Sequence, residues 1–204
     1  MRSDPAMLAR LQLQSTSDQQ NFLRYPPIAA AAPVAVNPEQ CAHWAYPQPT
    51  FTTEEIGFTL CGAMLGRLYL SGHLDQMNSE QLELVADAAR VYKRIRPHLA
   101  DGVPYWPDGL PKWDDPCLSV GLRTPSVSYV LVWHRSAQGG IAGAESPAVS
   151  LSIAHLAGVD VEAKAIFPSR SDAGLRWDPA SGRLQVRLPA APAACLIALS
   201  PAQR

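Results

Sequence analysis

Proline is the feature that most restricts how this chain can fold. Of its 204 residues, 19 are proline, about twice the usual share of ~5%. A proline in the interior of a helix costs about 3 kcal/mol, because it removes a backbone hydrogen bond and clashes with the preceding turn. An all-helical fold is therefore not expected. Apolar residues make up 47% of the chain and charged residues 17%, which is the composition of a protein with a hydrophobic core.

Charge and hydropathy exclude several classes of partner. The net charge is −1, so neither nucleic-acid binding nor a polybasic membrane anchor is expected. No run approaches the ~20 apolar residues of a membrane-spanning helix, and Asp4 and Arg10 interrupt the segment where a secretion signal has its apolar core. These observations predict a cytoplasmic protein. The cysteines form no CxxC pair and the histidines no HExxH motif, so no metal or other cofactor is expected. The cysteines, expected to be reduced and mostly buried, are Cys41, Cys61, Cys117 and Cys195.

The first half of the sequence alternates strand and helix patterns. Residues 11–16 alternate apolar and polar side chains and lead to Asp18, which predicts a strand with a polar end. Residues 66–71 predict another strand, and Thr52 or Thr53 is expected to cap a helix. The clearest helix begins after Asn78 or Ser79 and ends before Pro97. Such alternation predicts parallel βα units. The apolar stripe predicted for the last helix consists of Leu82, Val85, Ala86, Ala89 and Tyr92.

The second half has a different pattern. Residues 97–125 contain six prolines and are interpreted as a rigid connection. Short β-type runs follow with no helix between them, which predicts an antiparallel sandwich. The predicted division is therefore a βα part at 1–98, a proline-rich connection at 99–125 and an all-β part at 126–204. The six predicted strands cover residues 127–134, 149–155, 159–167, 175–177, 183–188 and 195–199.

Two carboxylates near the start are candidates for chemistry. Asp4 follows Arg2-Ser3, and Asp18 lies at the end of the first predicted strand. In a barrel of βα units the carboxyl ends of the strands carry the catalytic groups, and a carboxylic acid there can give a proton to a leaving group. Helix N-caps use the same residue types, however. The pattern by itself leaves both interpretations open.

A resemblance to a known family adds to this pattern. The aspartate of Arg2-Ser-Asp4 and that of Ser15-Thr-Ser-Asp18 are fourteen residues apart. This is similar to the melibiase group of glycoside hydrolases (family 36, α-galactosidases), where a Gly-Gly-Arg-aromatic-Asp segment precedes a Thr-Ser-Asp segment at the same separation. Further blocks in the same order resemble an actinobacterial-type branch of that family. These blocks are Pro26-Pro27, Pro38-Glu-Gln40, Trp44-Ala-Tyr-Pro-Gln-Pro49, Gly66-Arg-Leu-Tyr-Leu-Ser-Gly72, Val91-Tyr-Lys93, Trp106-Pro107 and Trp113-Asp-Asp115.

The resemblance implies an α/β fold followed by an all-β fold. It covers residues 1–135 closely and the rest loosely. It implies that the chain holds about the last three βα units of an incomplete (β/α)8 barrel, followed by a C-terminal antiparallel β-sandwich domain. A barrel is stable because closure removes the sheet edges. The open edge of the remaining units is therefore expected to favour self-association.

The resemblance also implies roles for individual residues. Asp18 matches the family's general acid/base, and Asp4 and Arg2 match the segment that contacts sugar hydroxyls. The family's nucleophile belongs to a Lys-Trp-Asp segment on an earlier strand. Lys112-Trp-Asp114 has these residues but follows the barrel region, so Asp114 is not expected to be the nucleophile. Ser3 also stands where the family has an aromatic residue.

These implications give one leading function and two alternatives. The leading one is a fragment of an α-galactosidase-like retaining hydrolase that carries the acid/base but not the nucleophile, with α-linked galactosides or related sugars as partners. The first alternative is a catalytically inactive carbohydrate-binding or scaffolding remnant. The second is a relative that acts on another α-linked sugar. Trp44, Tyr46 and Trp106 are candidates for stacking on sugar rings, although aromatic residues beside proline more often serve packing.

Overall fold

The first part of the chain forms a parallel sheet. The structure is a computed structural model that describes residues 5–135, 148–189 and 191–202. Its first three strands are β1 (Gln14–Ser15), β2 (Cys41–Ala45) and β3 (Arg67–Leu70), and they pair side by side in that order. Both pairings are parallel, with Ser15 opposite Ala42 and Ala42 opposite Arg67. The predicted strands near residues 11–16 and 66–71 are therefore present, although both are shorter than the sequence pattern.

Helices connect and follow these strands. α3 begins at a capping box in which Thr52 accepts a hydrogen bond from the Glu55 amide, so Thr52 rather than Thr53 is the cap. α4 begins at a second capping box, formed by Asn78 and Gln81. α2 has no side-chain cap and carries proline at its start. The helices are α1 (Pro5–Leu8), α2 (Tyr25–Ala31), α3 (Thr53–Cys61) and α4 (Ser79–Ile95).

The buried face of α4 differs from the predicted stripe. Leu82 is 41% exposed and Ala86 is also exposed, while Val85 is buried as predicted. Both faces carry apolar side chains, so the 3.6-residue period did not fix which of them faces the core. Contacts with other elements decide this, because the Gln81 side-chain amide donates to the carbonyls of Pro49 and Phe51 and turns its own face inward. The buried residues of α4 are Gln81, Val85, Ala88, Val91 and Ile95.

The second part of the chain contains two antiparallel sheets. One has five strands in the order β4-β5-β6-β11-β8, and the other has three in the order β7-β10-β9. Residues 178–182, Asp-Pro-Ala-Ser-Gly, are of the types that favour turns, and they form the turn between β9 and β10, with Gly182 at a φ of 62°. The strands are β4 (Val103–Tyr105), β5 (Cys117–Arg123), β6 (Ser128–His134), β7 (Val149–Ser152), β8 (Val161–Phe167), β9 (Gly174–Asp178), β10 (Arg183–Arg187) and β11 (Ala193–Pro201).

Two strands lie inside the segment that the sequence indicates as a connection. β4 and β5 both fall within residues 99–125 and form one side of the five-stranded sheet. The prolines of this segment argue against strands in the sequence, because proline has no amide to donate to a sheet. Pro104 nevertheless lies within β4, at the edge of the sheet, where a missing amide donor is tolerated. The segment is thus in part sheet rather than connection, and the division of the chain at residues 98 and 125 stays a prediction.

The five-stranded sheet is buried on both faces. Every residue of β6 is buried, which explains its unbroken apolar run. On one face, Leu131 and Trp133 share a core with Phe58 of α3. On the other face, Val130 shares a second core with Leu184 of β10. The βα units, the five-stranded sheet and the three-stranded sheet therefore pack in successive layers.

The architecture is a partial barrel followed by a sandwich. Three parallel βα units come first, and two packed antiparallel sheets follow, as the sequence predicts for an α/β part followed by an all-β part. In the described ranges, no helix combines the length and apolar character needed to cross a membrane.

Candidate functional site

The candidate site lies at the carboxyl ends of the parallel strands. Asp18 follows β1 closely, and its side chain is exposed. Because β1, β2 and β3 are parallel, the residues that follow them meet at one end of the sheet. Arg2 and Asp4, the other two residues predicted for the site, lie outside the described residues.

Three aromatic rings form a cluster on the same face of the sheet. The ring of Trp44 stacks on Tyr46 with centroids 5.8 Å apart and an interplanar angle of 11°. It also meets Tyr69 of β3 at 5.1 Å, with the rings tilted by 47°. The indole nitrogen of Trp44 donates to the Ser15 hydroxyl of β1 at 2.9 Å. All three rings are half-buried, so they present apolar surface beside polar groups, which is the kind of surface on which a sugar ring stacks.

Asp18 lies within electrostatic reach of this aromatic cluster. Burial raises the pKa of the Tyr46 hydroxyl, and the negative charge of the Asp18 carboxylate raises it further. The two side chains are thus close enough for the charge of Asp18 to act on Tyr46, which puts Asp18 next to the aromatic cluster.

A small pocket lies beside this site. Gln19 and Gln20 line it together with Trp44, Tyr46 and Thr59, and its volume is about 10 Å³. A volume of that size has room for about one water molecule. The described residues therefore form an open surface here and not an enclosed pocket.

A hydrogen-bond network on the opposite, helix-facing side holds the strand ends together. Thr16 Oγ1 lies 3.0 Å from the Ala42 carbonyl, 2.9 Å from the Tyr25 hydroxyl and 3.2 Å from His43 Nδ1. The Tyr25 hydroxyl also accepts the backbone amide of Trp44 at 2.7 Å. One arrangement satisfies every group: Thr16 donates to the Ala42 carbonyl and accepts from both Tyr25 and His43. The network joins β1, β2 and α2 directly beneath the candidate site.

His43 is a structural member of this network. Its side chain is 2% exposed, and burial lowers its pKa to about 4, so the imidazole is neutral at neutral pH. Gly66 lies against it, because a Cβ atom there would be 2.3 Å from His43 Cδ2 and 2.7 Å from the Cys41 carbonyl oxygen. The close approach of the histidine therefore requires glycine at this position.

Successive local hydrogen bonds shape the segment that follows β1. We call residues 17–24 the Asp18 loop. The Gln19 amide donates to the Ser17 hydroxyl at 3.1 Å, the Asn21 amide to Gln19 Oε1 at 3.0 Å, and the Leu23 amide to Asn21 Oδ1 at 3.0 Å. Each bond closes a turn between a side chain and the backbone two residues further on. The loop that carries Asp18 is therefore ordered by its own serine and amide side chains.

The Lys-Trp-Asp segment belongs to a turn before β5. Asp114 is exposed in this turn, where the Lys112 amide donates to the Asp115 carboxylate at 2.7 Å. The turn leads into the antiparallel sheet and not into one of the parallel strands. That Asp114 is not a nucleophile stays a prediction.

Trp106 has a packing role. Its indole nitrogen donates to the Ala30 carbonyl of α2 at 2.7 Å, and its ring packs against the larger core. The cysteines Cys41, Cys61 and Cys195 are buried and unpaired, and within the described residues no group of three or more histidine, cysteine or carboxylate side chains is arranged to hold a metal ion.

The sequence reasoning missed the network of Thr16, Tyr25 and His43. A signal for His43 was available in the sequence. Residues two apart on a strand share a face, so His43 lies on the same face of β2 as the apolar Cys41 and Ala45. Nothing local indicated that Thr16 or Tyr25 would meet it, since they belong to different elements.

A larger cleft lies on the outer side of the molecule. Its volume is about 660 Å³, and α3, α4 and the segment after β8 line it. None of the described residues that line it belongs to β1, β2 or β3. The cleft is therefore separate from the candidate site.

Comparison with known proteins gives matches among solved structures. A search of protein-family models found no match, and a search of curated proteins found none either. A variant of the GH36 α-galactosidase AgaA from Geobacillus stearothermophilus, solved in complex with raffinose, matches with a TM-score of 0.77 at 13% identity, over 98% of this chain and 27% of that one. AgaB from the same organism matches with a TM-score of 0.71 at 13% identity, over 98% and 27% of the two chains.

A third match comes from another organism. The α-galactosidase from Lactobacillus brevis has a TM-score of 0.66 at 12% identity, over 92% of this chain and 26% of that one. At such identities the similarity establishes the fold. The chain has the fold of the C-terminal part of GH36 α-galactosidases and spans about a quarter of their length. The actinobacterial-type branch that the sequence blocks resemble stays a prediction.

Proposed function

We propose that this chain is part of an α-galactosidase-like retaining glycoside hydrolase, in which α-galactosides bind over Asp18 and the aromatic cluster of Trp44, Tyr46 and Tyr69. The observation that carries the proposal is the position of Asp18, which follows a parallel strand of three βα units and lies beside stacked aromatic rings. The shared fold with GH36 α-galactosidases supports it, and so does the raffinose bound in one of those structures.

In this proposal Asp18 is the general acid/base. Its exposed carboxyl group gives a proton to the glycosidic oxygen as that bond breaks, and it then takes a proton from the water that hydrolyses the glycosyl-enzyme. Arg2 and Asp4 hold the hydroxyl groups of the galactosyl unit. The indole of Trp44 supports the apolar face of the ring.

The proposal requires a second carboxylate that these residues do not supply. Retaining hydrolysis needs a nucleophile whose carboxyl group lies ~5–5.5 Å from that of the acid/base. Asp114 follows the parallel strands in the chain instead of preceding them, and in this proposal it is not the nucleophile. The chain by itself is therefore expected to bind α-galactosides weakly and to hydrolyse them with no measurable rate.

A binding and turnover experiment tests this function. Binding of raffinose is followed by isothermal titration calorimetry, which needs no tryptophan as a reporter, and turnover is followed by nitrophenol release from a nitrophenyl α-galactoside. We expect a measurable heat of raffinose binding, no nitrophenol release, and about tenfold weaker binding in Trp44→Ala, because this variant removes the aromatic surface on which the sugar ring is proposed to lie. Trp177→Phe, in the three-stranded sheet, is the control and is expected to bind raffinose normally.

Two results would contradict the proposal in different ways. Absence of raffinose binding to the wild-type chain would reject the site itself. Turnover that Asp18→Asn abolishes would confirm the role of Asp18 but would show that the chain is catalytically complete. A preference for a nitrophenyl α-glucoside or another α-linked sugar would favour the relative with a different specificity.

The aromatic cluster favours a second candidate function, a carbohydrate-binding module without catalysis. Its three rings are half-buried, and they contact one another at the end of the parallel sheet where Asp18 follows β1. Raffinose affinity that is unchanged in Asp18→Asn and Asp4→Asn would favour this alternative, because a binding module does not need the acid/base. Loss of affinity in Asp18→Asn would favour the hydrolase.

We also propose that the open sheet associates with further polypeptide. In the described residues β3 is the last strand of the parallel sheet and pairs with β2 alone, so its other edge has no neighbouring strand. Pairing with further βα units or with a second copy of the chain covers this edge. Light scattering of the purified chain is expected to give a mass of at least a dimer, and a strictly monomeric chain at high concentration would contradict self-association.

A further inference from the structure

The Leu23 carbonyl has no backbone donor in its own helix. Leu23 lies two residues before α2, and the amides three and four positions further along would be those of Pro26 and Pro27, which have no N–H. Arg24 has helical backbone angles (φ −96°, ψ −15°), so the Leu23 carbonyl belongs to the first turn. Since Leu23 is half-buried, its carbonyl needs another donor.

Arg135 supplies that donor from the other part of the molecule. It follows β6 and is only 7% exposed. Its guanidinium donates to the Leu23 carbonyl at 3.0 Å, to the Asp115 carbonyl at 2.7 Å and to the Trp113 carbonyl. Burial lowers the pKa of Arg135, and the nearby carboxylates of Asp114 and Asp115 oppose this effect. The guanidinium therefore joins the barrel part to the turn before β5 through three backbone carbonyls.

Leu23 ends the chain of local bonds that orders the Asp18 loop. The Leu23 amide binds Asn21, the Asn21 amide binds Gln19, and the Gln19 amide binds Ser17. The amide of Leu23 thus belongs to the series of bonds that leads back to Asp18, and its carbonyl accepts a hydrogen bond from Arg135. The position of the Leu23 carbonyl is therefore coupled, through these hydrogen bonds, to Ser17 and Gln19, the residues on either side of Asp18.

Trp106 binds the opposite end of the same helix. Its indole nitrogen donates to the Ala30 carbonyl at 2.7 Å, near the end of α2. Arg135 and Trp106 are thus comparable ties between the same two parts of the molecule. They differ in which end of α2 they hold, and Arg135 holds the end next to Asp18.

We propose that Arg135 is a positioning residue for the Asp18 loop: through the Leu23 carbonyl it fixes residues 17–24 and with them the carboxylate of Asp18. Its effect on galactoside binding rests on the function proposed above. Lysine cannot replace it, because an ammonium group lacks the planar set of donors that reaches three carbonyls at once.

Hydrogen exchange of the Asp18 loop tests this role in the full chain. We compare Arg135→Lys with Trp106→Phe, which removes one tie of similar kind at the far end of α2. The exchange rate of the amides in residues 17–24 is divided by that of the amides in β10, so that a general loss of stability, which raises both rates, cancels. We expect Arg135→Lys to speed exchange of the loop about tenfold relative to β10, since a hydrogen bond from a charged group is lost, and Trp106→Phe to leave the ratio within about twofold.

Pro27→Ala provides a rescue. The alanine restores an amide donor four residues after Leu23, so the double variant Arg135→Lys/Pro27→Ala is expected to recover most of the protection of residues 17–24. Arg135→Gln, which keeps a neutral donor, is the second variant if the lysine chain does not fold. The proposal would be overturned if the exchange ratio were unchanged in the variants of Arg135. It would also be overturned if the loop of the double variant exchanged as fast as that of Arg135→Lys.

Raffinose affinity separates this proposal from the proposed function. If the wild-type chain binds raffinose, we expect about tenfold weaker binding in Arg135→Lys and less than about twofold change in Trp106→Phe. If the wild-type chain does not bind raffinose, the proposed function fails while the exchange experiment still decides whether Arg135 holds the loop. Wild-type affinity in Arg135→Lys would overturn the effect on binding.

Discussion

His43 is the residue whose environment departs furthest from what its type alone predicts. A histidine near neutral pH is normally able to take up a proton, yet His43 is buried on β2 with its ring against Gly66, and its ring forms a hydrogen bond with the neutral hydroxyl of Thr16. No carboxylate compensates a charge at this position, since the one described neighbour that bonds its ring is Thr16. Protonation would leave the bond from Nδ1 to Thr16 in place but would bury a positive charge with no counter-charge, which destabilises the fold.

This environment predicts a loss of stability in mild acid. The folded-state pKa of His43 is lowered to about 4, below the ~6.5 of an unfolded histidine. The unfolded chain therefore binds more protons, and the contribution of His43 to stability is complete above pH 6.5 and is lost as the pH falls toward 4. We expect the free energy of unfolding to fall by about 2 kcal/mol between pH 7 and pH 5 from this group alone.

Urea unfolding at several pH values measures this loss, with His43→Asn as the control. Asparagine keeps an N–H near the position of Nδ1 but does not titrate. Burial also lowers the pKa values of His134 and His155, so part of the pH dependence remains in the variant. Equal pH dependence in the wild type and in His43→Asn would show that His43 is not the group responsible.

At the scale of elements, α4 shows that an amphipathic period does not choose a face. The predicted stripe included Leu82 and Ala86, which are exposed, and omitted Ala88 and Val91, which are buried. Both sets satisfy the helical period, because alanines and leucines occur on more than one side of the helix. The face was decided by packing against α3 and β8 and by the bonds of Gln81 to the segment before α3.

The position of this face is tested by two matched substitutions in α4. Ala88→Leu puts a large side chain at a fully buried position, and we expect it to lower the free energy of unfolding by about 1–3 kcal/mol. Ala86→Leu makes the same change two residues away on the exposed side, and we expect a change within about 0.5 kcal/mol. Thermal or urea unfolding measures both. If Ala86→Leu lowered the free energy of unfolding more than Ala88→Leu, the face predicted from the sequence would be the buried one.

At the scale of the whole molecule, one hydrophobic core joins the two parts of the chain. Phe58 and Val91 of the helices share this core with Leu131 and Trp133 of β6 and with Phe167 of β8. Arg135 and Trp106 add hydrogen bonds across the same contact. The incomplete barrel thus packs its helices on the five-stranded sheet, and their apolar faces are covered although the barrel is not closed.

A shared core predicts that the chain unfolds as one unit. Far-ultraviolet circular dichroism and tryptophan fluorescence should report the same midpoint in urea, because Trp44 lies in the parallel sheet and Trp133 in the five-stranded sheet. Phe58→Ala removes a side chain from the shared core and is expected to lower the midpoint seen by both probes equally. Two separate transitions, or a shift in one probe only, would contradict a single cooperative unit.

The sequence by itself determined the type and order of several elements in each part of the chain. Signals that act over a few neighbouring residues can be recognised without knowledge of the fold. Such signals are the strand pattern of residues 66–71, the capping residues Thr52 and Asn78, and the turn at 178–182. They were enough to predict parallel βα units followed by antiparallel strands. The strands β4 and β5 were not predicted because the prolines in and around them are residues that usually exclude a strand.

The tertiary structure decided which distant groups meet. The bond between Thr16 and His43 joins residues 27 apart, and the bond between Arg135 and Leu23 joins residues 112 apart. Periodicity, capping and turn preferences describe only near neighbours, whereas these contacts depend on how whole layers pack. The proline excess links the two levels: Pro26 and Pro27 leave the Leu23 carbonyl without a local partner, and only the packed fold brings Arg135 to it.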